Sequence, residues 1–137
     1  MQLNWESNKQ SSCNVRAIRG ATTATANTIE AMREAVRELL TDIETRNQIN
    51  HQDVVSVIFT VTPDLDAVFP AAIAREYPQW TNVPLLDVQQ MQVKGSLEKC
   101  IRVLIYINTI KPQAEMSHSY LRKAENLRPD LNLTTVK

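Results

Sequence analysis

Arg102 is the residue whose setting asks most plainly for chemistry. It stands third in Cys-Ile-Arg-Val-Leu-Ile-Tyr-Ile-Asn-Thr, residues 100–109, an alternating β-branched run that predicts a strand. Alternation places its guanidinium on one face with Cys100, Leu104 and Tyr106. A guanidinium among such neighbours costs on the order of several kcal/mol unless an anion meets it, and the strand itself contains no acid. The anion then comes from elsewhere in the fold or from a ligand; an edge position from which the side chain reaches water is the alternative. Arg19 weighs for the ligand. It lies in a second short strand-like run, Val-Arg-Ala-Ile-Arg-Gly at 15–20. Two guanidiniums on separate strands point to a site for an anionic small molecule, because arginine's planar fork pairs with carboxylates in a way lysine does not. Arg75 and Arg128 also stand near structural boundaries, where ordinary surface arginine is the more direct reading of each taken alone.

Other chemistries find less support. Cys100 heads an apolar strand, the setting of an inert core thiol. His51 sits in a polar loop and His118 on an expected last helix, neither with an acid or nucleophile at fixed spacing. The only glycines are Gly20 and Gly95, too few for a phosphate-cradling loop or dinucleotide fold. No His pair or Cys cluster has metal-ligand spacing, so no metal is expected.

The elements that position these residues fit one domain. The chain has 137 residues, with fifteen basic side chains balancing fifteen acidic ones, which argues against a nucleic-acid partner. No apolar run is long enough to span a membrane, and the first residues lack the pattern of a secretory signal. Two distant cysteines suit a reduced, cytoplasmic setting. Residues 1–14 read as a polar tail and 15–137 as the domain. A first strand is expected at 15–19. A helix capped by Asn27 should follow, with Ile29, Met32, Val36, Leu39, Leu40 and Ile43 at helical spacing. Further strands are expected at 54–62, 83–88 and 100–109. A short helix should run from Ala71 to Glu76 between Pro70 and Pro78, and a last helix from Gln113 to Leu127. Pro129 disfavours helical geometry at Arg128. The class is α+β or α/β, a mixed sheet with helices.

Five segments together resemble one family, the small monofunctional chorismate mutases of the trimeric pseudo-α/β-barrel class. They are Ile-Arg-Gly-Ala-Thr-Thr at 18–23, Thr-Pro-Asp-Leu-Asp-Ala-Val-Phe-Pro-Ala at 62–71, Arg-Glu at 75–76, Lys-Cys-Ile-Arg-Val at 99–103 and Leu-Arg-Pro-Asp-Leu at 127–131. The resemblance implies an α+β homotrimer with helices on one side of the sheet, active sites between subunits, and cofactor-free rearrangement of chorismate to prephenate. It implies Arg102 as the cation at the breaking ether bond, and Arg19 and Tyr120 as contacts to substrate carboxylate. Arg75 and Arg128 match mobile cationic positions at the rim, and Phe69, Ala71 and Leu127 match apolar walls.

The chain departs from the family pattern at three places. Gln90 stands where the family usually has a glutamate contacting the ring hydroxyl, Asp87 where a cysteine is common, and Ala72 where a lysine is frequent. The paired change suggests that Asp87 supplies the negative charge lost at position 90. Two other readings use the same features: a non-catalytic carboxylate-binding module on this scaffold, and a trimer of the imine-deaminase type.

Overall fold

The computed structural model describes residues 13–130, so nearly all of the expected polar tail and residues 131–137 lie outside the described residues. Five strands form one mixed sheet: β1 (Asn14–Thr23), β2 (Val54–Val61), β3 (Leu85–Gln89), β4 (Cys100–Thr109) and β5 (Ser119–Tyr120), in the order β3-β2-β4-β1-β5. β4 runs antiparallel to both β1 and β2, whereas β3 and β5 lie parallel to β2 and β1 as the two edges.

Strand alternation splits the sheet into two unlike faces. Ile101, Val103, Ile105 and Ile107 of β4, with Ile18 of β1 and Val57 and Phe59 of β2, form the core face. Helix α1 (Ile29–Asn47) covers it with Met32, Ala35, Val36, Leu39, Leu40 and Ile43, all buried. The short helix α2 (Pro70–Ala74) adds Ile73, and Trp80 lies beneath the 3₁₀ turn Pro78–Trp80. Gly20 gives α1 room where it crosses β1: a Cβ there would lie 2.8 Å from Ile43 Cδ1 and 3.1 Å from Leu39 Cδ1, so these side chains would have to shift. The opposite face, with Ile58, Thr60, Leu86, Val88, Arg102, Leu104 and Tyr106, carries no α-helix among the described residues.

Several expected boundaries shift for local reasons. The N-cap of α1 is Thr28, whose hydroxyl accepts the Ala31 N–H. Asn27 is instead claimed by the loop after β2: its carbonyl accepts the N–H groups of Asp66 and Ala67, and its amide donates to Asp66. Ile29, expected in the apolar stripe, is 42% exposed as the first helical residue. Pro78 opens a 3₁₀ turn rather than simply ending α2, which stops at Ala74. β3 begins at Leu85, two residues later than expected, because Pro84 precedes it and lacks a ladder N–H. At the head of β4, Asp64 accepts the Lys99 N–H and the Thr62 hydroxyl, while that hydroxyl accepts the Cys100 N–H. These bonds fix the strand that carries Arg102.

The expected helix over Gln113–Leu127 does not form. Its place is taken by a 3₁₀ turn at Gln113–Glu115, an extended stretch, β5, and 3₁₀ turns over Arg122–Leu127. The free edge of β1 explains the change, since its N–H and C=O groups need partners. The Gln113 side chain both accepts the Ala17 N–H and donates to the Ala17 carbonyl. His118 accepts the Arg19 N–H, and β5 pairs at Gly20 and Ala21. Arg122 then takes a left-handed φ of 54°, held by Glu34, Glu38 and the Thr23 carbonyl, which no continuous helix accommodates. Arg128 is non-helical, as expected before Pro129.

Candidate active site

The helix-free face gathers the cationic residues. A cavity of about 400 Å³ is lined by Arg19 from β1, Thr60 from β2, Arg102 and Leu104 from β4, Tyr120 from β5, and Leu127 and Arg128 from the last turn. Register explains the meeting: Arg102 lies opposite Ala21 on β1 and Thr60 on β2, and Arg19 lies opposite Leu104. Arg102 is half-buried, and its Nε is buried with no hydrogen-bond partner. The Thr60 hydroxyl and the Gln90 Oε1 are likewise buried and unpartnered. Val88 pairs with Thr60, so alternation carries Gln90 onto the same open face. Unsatisfied polar atoms in a cleft are costly in an isolated chain and are what a polar ligand can satisfy.

A second cavity, of about 600 Å³, is lined by Val61, Leu65, Val68, Phe69, Pro70, Asp87 and Val88. Phe69 is 68% exposed there. Asp87 lies opposite Phe59, and its Oδ1 accepts the Ala71 N–H at 3.0 Å, holding the start of α2. Burial pushes the Asp87 carboxyl above the ordinary carboxylate value, against the opposing effects of the Ala71 N–H and Arg75. Within one chain the expected site residues therefore fall into two groups. Arg19, Arg102, Tyr120, Leu127 and Arg128 share the first cavity; Phe69 and Asp87 share the second, beside Ala71. Gln90 and Arg75 line neither, although Arg75 acts electrostatically on Asp87.

Thr60 went unnoticed in the sequence, although its place after Phe59 in an alternating strand puts it on the Arg102 face. His118 is not on a helix but in the extended stretch beside Arg19. His51 has an acid after all: its Nε2 lies 3.0 Å from Glu44 Oε2, which also accepts the Trp80 Nε1–H. That trio ties α1 to the following turns on the core side of the sheet. Burial pushes the Cys100 thiol up, with Arg102 opposing, and Cys100 is fully buried. Among the described residues no cluster of three or more His, Cys, Asp or Glu could hold a metal ion, and no helix is long and apolar enough to cross a membrane.

An open sheet face bearing arginines beside apolar walls suits a small anionic molecule. The chain belongs to the chorismate mutase type I family, isomerases whose family model matches residues 15–131. It is 45% identical over 120 residues to chorismate mutase AroH of Bacillus subtilis (strain 168), covering 88% of this chain and 94% of that protein. Chorismate mutase AroH of Thermus thermophilus is 48% identical over 118 residues, covering 85% and 96%. The solved chorismate mutase from Clostridium thermocellum superposes with a TM-score of 0.76 at 44% identity, covering 80% of this chain and 96% of that one. These matches do not favour the carboxylate-binding module or the imine deaminase.

Proposed function

We propose that the chain, as one domain from residue 15 to 137, rearranges chorismate to prephenate in clefts between neighbouring subunits of a homotrimer. The observation that carries this reading is the buried, unpartnered Nε of Arg102 in a cavity shared with Arg19 and Tyr120. The reaction is unimolecular and pericyclic: the ether C–O bond breaks as the new C–C bond forms, and no proton, metal or cofactor takes part. Two tasks fall to the protein. The substrate dianion must be held folded with its reacting carbons close, which Arg19 and Tyr120 do through a carboxylate while Leu127, Phe69 and Ala71 wall the ring. As C–O cleavage runs ahead, negative charge grows on the ether oxygen, and the Arg102 guanidinium is already placed to meet it. Arg75 and Arg128 supply rim cations.

Two observations support the shared cleft. Arg19, Arg102, Tyr120, Leu127 and Arg128 occupy one cavity of a single chain, and Phe69 and Asp87 another. Leu86 on the helix-free face is 57% exposed, an apolar surface that a second copy would cover. In that arrangement Gln90 offers the ring hydroxyl only an amide. Asp87 supplies the carboxylate from the other side of the β3 edge, since it pairs with core-face Phe59. A cytoplasmic location suits both free cysteines.

The test is direct. Purified chain mixed with chorismate should consume it and yield prephenate, with no effect of added chelator. An inert mixture from a folded protein would favour a binding module, and hydrolysis of an imine substrate instead would favour the deaminase chemistry.

A further inference from the structure

His118 occupies a place in the β1 ladder that a backbone carbonyl would ordinarily fill. β5 pairs with β1 only at Gly20 and Ala21, so the N–H of Arg19 projects past the end of that pairing. The His118 Nδ1 accepts it at 2.9 Å. Further along the same edge, the Ala17 N–H is met by the Gln113 amide oxygen at 2.9 Å. The two acceptors differ in kind. An amide oxygen accepts at any ordinary pH, whereas an imidazole nitrogen accepts only while it carries no proton. With Nδ1 engaged, the neutral ring holds its proton on Nε2.

We propose that His118 is a positioning residue: as its neutral Nε2–H tautomer it fixes the backbone from which Arg19 projects into the cleft, and protonation at Nδ1 releases it. The inference rests on the reading that Arg19 binds a substrate carboxylate. Burial first, then Arg19 on β1 and Arg128 after the last 3₁₀ turn, hold the imidazole below its ordinary value. Arg128 pairs with Asp130. Behind the sheet, Asp42 of α1 accepts the Ser119 hydroxyl and pairs with Arg46. The Tyr120 phenol stands two positions further on, in β5.

The sign follows from these neighbours. Near neutrality the ring is uncharged and the bond to Arg19 is intact. As pH falls through the lowered value, Nδ1 becomes a donor facing a donor, and a third cation appears beside Arg19 and Arg128. A third cation alone would draw a dianion in and lower KM. An acid-side rise in KM therefore reports the lost hydrogen bond, not the added charge.

Steady-state kinetics of the full chain with chorismate, from about pH 8 to about pH 5, would compare the parent with His118→Asn, His118→Gln and His118→Ala. Asparagine puts its oxygen where Nδ1 stands and cannot be protonated; glutamine places its oxygen nearer the Nε2 position. Alanine and glutamine should raise KM about three- to tenfold at neutral pH, the worth of one net hydrogen bond, with kcat little changed. Asparagine should recover most of that loss and abolish the acid-side rise in KM seen in the parent. Two readouts need no substrate: imidazole nitrogen resonances should report the Nε2–H tautomer in the parent, and the Arg19 amide should exchange faster in the Ala and Gln variants. Equal behaviour of Asn and Gln, an acid-side rise in KM as large in the Asn variant as in the parent, or a proton on Nδ1 at neutral pH would each overturn the proposal. If alanine prevents folding, the Asn–Gln contrast and the parent's tautomer still decide. An Arg19→Ala variant with unchanged KM would instead overturn the carboxylate reading, leaving the tautomer and exchange results to stand by themselves.

Discussion

At Arg102 a guanidinium is held by β-strand geometry with its Nε desolvated and unpaired. Such an arrangement destabilises the empty site and is relieved when negative charge appears opposite, the condition for binding a transition state better than its ground state. Arg102→Lys keeps the charge but loses the planar fork and its reach, so kcat should fall by about 10²–10³, the cost of one preorganised donor. Near-parental turnover would place Arg102 away from the ether oxygen. Asp87 offers the second residue-scale test. Its Oδ1 accepts the Ala71 N–H and so ties it to the start of α2. Asp87→Asn should lose much more activity than Gln90→Ala, and Asp87→Asn/Gln90→Glu should regain a good part of it. An Asp87→Asn variant as active as the parent would leave Asp87 with only the α2 contact. Arg102 and Arg19 were legible in the sequence because a charge interrupts an apolar alternation, a local signal. His118 was not, because its partner is a backbone N–H on β1, 99 positions away.

Elements with purely local causes were the readable ones. β4 spans residues 100–109 as the alternation predicts, and the apolar stripe of α1 is buried as its period predicts, apart from Ile29. The stretch from Gln113 to Leu127 misled because its apolar spacing suits a helix, while the deciding interaction, the unpaired edge of β1, is remote in sequence. Tertiary pairing overrides propensity there. Asn27 shows the same effect on a smaller scale, since a loop 39 residues away takes its side chain from the helix. The contact between α1 and β1 carries a stability prediction. Gly20→Ala would press a methyl group against Ile43, Leu39 and Val103, all buried in a close-packed core. Overpacking of this kind costs about 1–3 kcal/mol, so thermal unfolding should begin at lower temperature. A melting temperature equal to the parent's would show that α1 shifts freely over β1.

On the scale of the whole molecule, one chain holds both groups of site residues but keeps them in different cavities. The helix-free face leaves Leu86 57% and Val88 42% exposed. Closed cyclic assembly would cover that face and bring the cationic cavity of one subunit against the apolar cavity of the next. That assembly is proposed on family resemblance, since alternation reveals which face a residue takes and not what covers the face. Mixing two defective variants tests the shared cleft most directly. Arg102→Ala removes the cation from one half-site, and Phe69→Glu sets a repelling carboxylate in the other at an exposed position. Each alone should form inactive trimers. Unfolded together and refolded as mixed trimers, they should regain chorismate mutase activity, because some clefts then join one intact half to the other. Mixed trimers that form, as read by mass, yet stay inactive would contradict a cleft shared between subunits.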